Sequence, residues 1–228
     1  MSTGAPPQSA REAILGAVRS RLPKPPVPLP DAALKAGRSA TGGGVGYNGT
    51  LAGLESVDGF PAPGESLTPF FQKQLTAMGG RSYVVRNVQA ASAKVFELFP
   101  DAKVRRSTVP GIDGTRPVQV TDDPHSFADV DVAILRTRLA VADAAALWFS
   151  SDDLLVPALG VLAQHLVVLL DPKDIVPTLH EAYGGKLDLD AIPYGVFMAG
   201  PSATGDIEGV IIHGAQGARS LTVLLLES

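Results

Sequence analysis

The chain has 228 residues, 45% of them hydrophobic and 18% charged, with a formal net charge of −4. At this length a folded domain buries roughly 70% of the surface its unfolded chain exposes, so an apolar core alone can hold it. The lack of any cysteine excludes disulfides, thiolate zinc sites, cysteine-ligated iron–sulfur clusters and a cysteine nucleophile; the acidic balance argues against nucleic-acid binding, whose footprint is a basic stripe.

At the N-terminus, Ser9-Ala-Arg-Glu12 matches a capping box, and Ile14, Leu15, Val18 and Leu22 follow at helical spacing. The first 22 residues lack the charged-then-apolar layout of a signal peptide. The helix stops at a proline tract (Pro23, Pro25, Pro26, Pro28, Pro30), which holds extended geometry and acts as a spacer. Residues 37–66 are rich in Gly, Ser and Pro. Within them Gly44-Val-Gly46-Tyr-Asn-Gly49 fits G-x-G-x-x-G, but neither a strand before it nor a helix after it is readable, so it is a loop and no NAD site is expected. Residues 1–65 thus form an N-terminal helix, a proline-rich spacer and an irregular arm, and 66–228 form the folded domain.

From Thr68 the pattern becomes regular. Thr68 with Pro69 opens a helix whose Phe70, Phe71, Leu75 and Met78 face a core, and Gly79-Gly80 closes it. Ser82–Val85 reads as a strand, and Asn87 caps a helix running to Phe99. Val104–Val109 and Val118–Val120 read as short strands; Lys103, Arg105 and Arg106 along the first read as a solvated face. Val130–Leu135 is a central strand. Leu154–Leu170 is apolar but interrupted by Pro157, Gly160, Gln164 and His165, which makes it a buried helix over Leu155–Gln164 and a strand over His165–Leu170, not a membrane span. Ile175–Tyr183 is a helix ended by Gly184-Gly185, and Tyr194–Ala199 and Leu221–Leu226 are strands covered on both faces. Strands alternating with helices predict an α/β fold, a Rossmann-like and mostly parallel sheet with helices on both faces. A soluble cytoplasmic protein is expected.

No two of His125, His165, His180 and His213 stand at helical metal-binding spacing, so no metal is expected. Asp122-Asp123-Pro-His125 is a turn, and His165, opening an apolar strand, is a core histidine. Polar groups converge instead on Gly200–Gly217. Gly200 ends a buried strand, Ser202 and Thr204 supply hydroxyls, and Gly205 permits close backbone approach, which together suit an anion-binding turn at a strand's carboxyl end. Gly200-Pro-Ser202-Ala-Thr204 falls short of a nucleophile elbow because Thr204 stands where glycine is needed. Asp206 and Glu208 either cap backbone, orient it, hold a cation or act as acid–base groups. His213 beside Gly214 is free to donate to an anion.

Gly200-Pro-Ser-Ala-Thr-Gly-Asp-Ile-Glu208, followed by His213-Gly214, Gly217 and Ser220-Leu-Thr-Val, resembles the C-terminal signature of the LutC/YkgG family of LUD-domain lactate-utilisation proteins. Gln164-His165-Leu-Val-Val, Ile175-Val-Pro-Thr-Leu-His-Glu-Ala-Tyr183 and Phe70–Gly80 fit it in the same order, over about residues 66–228. The resemblance implies a fold similar to the NagB/RpiA/CoA-transferase-like group. It also implies a role in oxidising L-lactate to pyruvate beside iron–sulfur partner subunits, with no cofactor of this chain's own. A small anionic metabolite on Gly200, Ser202, Thr204, Asp206, Glu208 and His213 is the leading reading. A transferase or isomerase acting on an acyl-CoA or sugar phosphate, and a scaffold without a ligand, are the alternatives. Family members carry an acidic–polar–glycine triplet before a strand; here Asp143 holds the acidic place, one methylene short, and Ala145 replaces the glycine. Asp143 is the candidate catalytic residue, and displacing a reacting oxygen by about 1 Å costs roughly a hundredfold in rate.

Overall fold

The computed structural model describes residues 12, 16–17, 20, 61, 64–187, 192–205 and 210–227. Contacts divide the chain into Met1–Leu54 and Glu55–Ser228. Of the first unit Glu12, Gly16, Ala17 and Ser20 are described, all helical; the proline tract and the Gly44–Gly49 fingerprint lie outside the described residues. In the second unit the elements run α1 (Thr68–Ala77), β1 (Arg81–Val85), α2 (Val88–Leu98), β2 (Arg105–Ser107), β3 (Val132–Arg136), β4 (Ala140–Val141), β5 (Ala146–Ser150), α3 (Ser151–Leu154), α4 (Ala158–Leu162), β6 (His165–Leu170), β7 (Ile175–Val176), α5 (Leu179–Glu181), β8 (Gly195–Ala199), β9 (Ala203–Thr204), β10 (Ile212–His213) and β11 (Ser220–Leu226).

Local chemistry explains the first helices. The Asn87 side chain accepts from the Ala90 amide, a cap worth about 1 kcal/mol over alanine. α1 buries Phe70, Phe71 and Leu75 and ends where Gly79 takes φ +84° and the Gly80 amide returns to the Leu75 carbonyl. Met78, expected in the core, is 49% exposed because it sits past the helix's last turn.

The main sheet is all parallel, in the order β1-β11-β6-β3-β2. β6 and β11 are continuous apolar runs because both faces are covered. On one face Val167, Leu169 and Leu224 pack with Ala91 and Val95 of α2. On the other, Leu166, Val168, Leu221 and Val223 meet Phe71 and Leu75 of α1, Leu154 of α3 and Leu159 of α4. The expected α/β, Rossmann-like architecture is what the chain adopts, with β6 at the centre of the sheet and β3 beside it.

A second, mixed sheet in the order β7-β4-β5-β8 completes the second face. Alternation along β5 and β8 explains its two sides. Leu147, Phe149, Val196 and Met198 face the main core; Ala146, Trp148 and Phe197 face outward beneath Val176, Ala182 and Leu187. This sheet corrects several expectations. Ile175–Tyr183 is not one helix: Ile175-Val176 pairs with β4, Pro177 breaks the run, and Thr178 caps a short helix that widens into a π-turn over Ala182–Lys186. The expected Leu155–Gln164 helix shortens to α4, with α3 before it under its own Ser150–Asp153 capping box. Val118–Val120 is not a strand. Arg105 and Arg106 are not a solvated face but are buried, at 7% and 5% exposure.

Candidate functional site

β8 belongs to the mixed sheet, where it runs antiparallel to β5 with Ala146 opposite Ala199. The turn after it therefore does not stand at a carboxyl end of the parallel sheet. It folds back over the opposite edge: the Ser202 amide donates to the Ala218 carbonyl at 2.9 Å, just before β11, and the Ser202 carbonyl accepts from the Gly214 amide at 2.8 Å. The Ser202 amide is thus spent on the fold and is not available to a ligand. Beyond it β9 pairs antiparallel with β10, Thr204 opposite Ile212 and Ala203 opposite His213.

Gly200 holds the turn in place. Its φ is +69°, and a β-carbon there would lie 2.5 Å from the Met78 carbonyl oxygen, so the end of α1 presses directly on its backbone. Gly217 has the same function on the other side, where a β-carbon would come within 3.0 Å of Ser202 Cβ. Between these contacts opens a cavity of about 240 Å³, with Ser202 and Gln216 at its polar end and Val161, Leu166, Val196 and Met198 as apolar wall. Residues 214–217 are bent and outside any strand, and the first of their amides, Gly214's, is spent on the Ser202 carbonyl.

The expected site residues separate accordingly. Gly200 and Ser202 line the cavity. Thr204 sits in the hairpin ladder, and His213 is exposed beside Gly79 and Pro201, with its Cε1 3.5 Å from where a Gly79 β-carbon would be; neither lines the cavity. Asp206 and Glu208 lie outside the described residues. Sequence reasoning missed the apolar wall, Met198 and Val196 above all, because their direction is set by a pairing with β5 that no local pattern announces. Gly160 in α4, where a β-carbon would meet Met198 Cε at 2.9 Å, was a readable hint of close packing.

Asp143 sits in the turn between β4 and β5, next to the same helix. The Gln74 amide nitrogen donates to the Asp143 carbonyl at 3.2 Å, one turn of α1 before Met78. The two polar turns, around 143 and around 200, are therefore both seated on the second half of α1. Asp143 Oδ1 is buried without a hydrogen-bond partner. Burial pushes its carboxyl above the usual carboxylate range; the Ala144 backbone opposes this, and the nearby Glu181 carboxylate, itself bonded by Thr178, adds to it. Ala145 has φ +46°, so the left-handed turn that a glycine would make easily persists with alanine.

A raised carboxyl in the folded state binds a proton that the unfolded chain has already released. Stability then falls as pH rises from the ordinary carboxylate value through the raised one, and stays lower above it. Asp143→Asn is expected to be more stable than the parent at pH 7 and equal to it near pH 3. Urea midpoints across that range check this, and a variant less stable than the parent at pH 7 rejects the assignment.

Residues 118–226 match the family model of the LUD domain. The match spans a little under half of the chain. The matched stretch runs from the turn before β3 to β11 and includes Asp143, Ser202 and the whole wall of the cavity, while α1, β1, α2 and β2 lie before it. The chain is also similar to the crystal structure of a DUF162 family protein from Deinococcus radiodurans, at 14% identity and a TM-score of 0.54, over 71% of this chain and 96% of that one. That likeness shows the fold alone. No curated protein matches the chain. No helix among the described residues is long and apolar enough to cross a membrane.

Proposed function

We propose that this chain is a non-redox component of a lactate-utilisation system that takes L-lactate to pyruvate, and that the cavity beside Ser202 receives a small carboxylate of that size. The match of residues 118–226 to the LUD-domain model supports the lactate context, as does the likeness to the LutC/YkgG signature. The observation that carries the ligand is the mixed lining of the cavity, with the polar side chains of Ser202 and Gln216 and an apolar wall of Val161, Leu166, Val196 and Met198. A short hydroxy or oxo acid matches that lining, with a carboxylate at one end and a methyl group at the other. Among the described residues no basic side chain lines the cavity, which favours a monocarboxylate over a phosphate ester or a polyanion. A chain without cysteine holds no cluster through thiolates, so electrons would pass through iron–sulfur partner subunits in the cytoplasm.

The test is a gene deletion complemented with wild type or with Ser202→Ala, grown on L-lactate, together with thermal shifts of the purified chain in L-lactate and pyruvate. Loss of growth on deletion, and a ligand-induced shift that Ser202→Ala reduces, are expected. Normal growth of the deletion strain rejects the lactate role, and an identical shift in Ser202→Ala rejects the site.

One observation favours a second reading, a transferase or isomerase acting on an acyl-CoA or sugar phosphate. Asp143 has a buried, unpartnered carboxylate oxygen in the position where the family triplet places its acid. Such a transferase would leave an acyl adduct on Asp143 after incubation with an acyl-CoA; an unmodified Asp143 peptide in mass spectrometry removes the transferase form of this reading.

A further inference from the structure

A second cavity, of about 360 Å³, opens at the amino edge of the parallel sheet. The strand order β11-β6-β3 and its register, with His165 beside both Ser220 and Val132, bring three residues to that edge side by side. Arg219 precedes β11, His165 begins β6, and Asp131 precedes β3. With neighbouring strands about 4.8 Å apart, the Arg219 and Asp131 backbones stand roughly 10 Å apart across His165. The far wall is the end of α2 and the turn after it, through Phe99 and Asp101.

Each group is held for use. His165 Nδ1 lies 2.8 Å from Ser220 Oγ, and its ring is 4.8 Å from that of Phe99, which leaves Nε2 as its remaining polar atom. Burial, reinforced by the Arg219 charge and opposed by Asp131, lowers its tendency to protonate. Asp131 Oδ2 accepts from the Lys103 and Val104 amides at 2.7 and 2.8 Å. The Val104 amide, against a smaller opposing effect of burial, holds this carboxyl below the usual range, so it is ionised. The Arg219 backbone amide donates to the Gln164 carbonyl, which fixes its Cα, while its guanidinium makes no ion pair among the described residues. The Phe99 carbonyl at the end of α2 is taken by the Arg105 guanidinium at 2.7 Å, and Asp101 adds a second carboxylate to the lining.

The cavity therefore presents a cation, Arg219, on one flank, the Asp131 carboxylate on the other, a neutral imidazole between, and Asp101 in its far wall. A simple anion would sit against Asp131 and a simple cation against Arg219. We propose that this cavity is a binding site for a small zwitterion, its carboxylate on Arg219, its ammonium on Asp131 and its middle against His165 and Phe99. The volume is at the lower end of ligand cavities, of order 300 Å³ and above, which suits a molecule of amino-acid size. The site is separate from the cavity beside Ser202, and the proposal does not depend on the lactate reading.

Three probes of equal chain length test it on the full chain: γ-aminobutyrate, butyrate and butylamine, titrated while the His165 imidazole resonance is followed. We expect γ-aminobutyrate to saturate the shift at concentrations at least tenfold below those of the other two. Arg219→Gln should weaken it at least tenfold with no change in thermal midpoint, since that side chain is exposed. A response to butyrate equal to that of γ-aminobutyrate makes the cavity a plain anion site and overturns the proposal. So does an unmoved His165 resonance with all three probes, or an Arg219→Gln chain that binds γ-aminobutyrate as tightly as the parent.

Discussion

Gly200→Val is expected to destabilise the chain by about 4 kcal/mol, the sum of left-handed backbone strain of about 1–3 kcal/mol and an overpacking cost of similar size. Both terms have a direct structural source. Gly200 has φ +69°, which a β-branched residue adopts only under strain, and its β-carbon would meet the Met78 carbonyl oxygen at 2.5 Å. The atom it meets is backbone at the end of α1, so relief requires moving the helix end or the turn. Because Ser202 follows two residues later on the cavity wall, that movement should also abolish any ligand-induced thermal shift. Gly205→Ala is the matched control. Gly205 is exposed, has no left-handed φ, and its β-carbon would touch Ile211 Cδ1 at an ordinary 3.5 Å, so a change within about 0.5 kcal/mol is expected. Urea midpoints of the two variants decide the matter; equal midpoints would mean that the contact between α1 and the turn is not as described.

The second large effect belongs to Arg106, which lines neither cavity. Its guanidinium is buried above the Phe127 ring, 4.6 Å from the centroid, and donates to Asp122 Oδ2 at 2.7 Å and to the Pro117 carbonyl at 2.9 Å. Its Nε has no partner. Asp122 also accepts from the Gln119 amide, so one carboxylate ties the edge strand β2 to the whole 117–127 crossover. Removing only the carboxylate leaves a buried charge without compensation, which typically costs about 3–5 kcal/mol. Asp122 retains 24% exposure of its side chain, so water reaches the site, and Asp122→Ala is expected at the lower end, about 3 kcal/mol. Arg106→Met deletes the charge together with its desolvation cost and keeps apolar contact with Phe127. It is expected to cost less, about 1–2 kcal/mol. The order of the two is the test: if Arg106→Met proves the more damaging, the pair is a net stabiliser and the burial argument is wrong.

Much of this molecule is legible one segment at a time. β6 and β11 announce themselves as unbroken aliphatic runs, and Asn87 and the Gly79-Gly80 pair mark helix ends through bonds that span no more than five residues. Ser202 and Gly200 could be singled out because a glycine ending an apolar strand beside a hydroxyl is a local pattern. The mixed sheet could not. Ala140 and Ala146 carry little strand preference of their own, and these short segments extend because β7 and β8 lie on either side of them. For the same reason Arg105 and Arg106 read as surface charges: the rings and acceptors that bury them, Phe96, Phe127, Pro117 and Asp122, come from other turns of the chain.

The candidate sites divide the same way. Which residues carry hydroxyls, imidazoles and charges is written in the order of amino acids, and so are the apolar runs that force a covered parallel sheet, since burying them is the main favourable term in folding. Which of those groups meet is a matter of strand order. Pairing β8 with β5 turned Met198 toward Ser202 and left His213 outside the cavity, and placing β6 between β11 and β3 set His165 between Arg219 and Asp131. Those pairings join residues 33 to 55 positions apart, where no period or motif in the chain can record them.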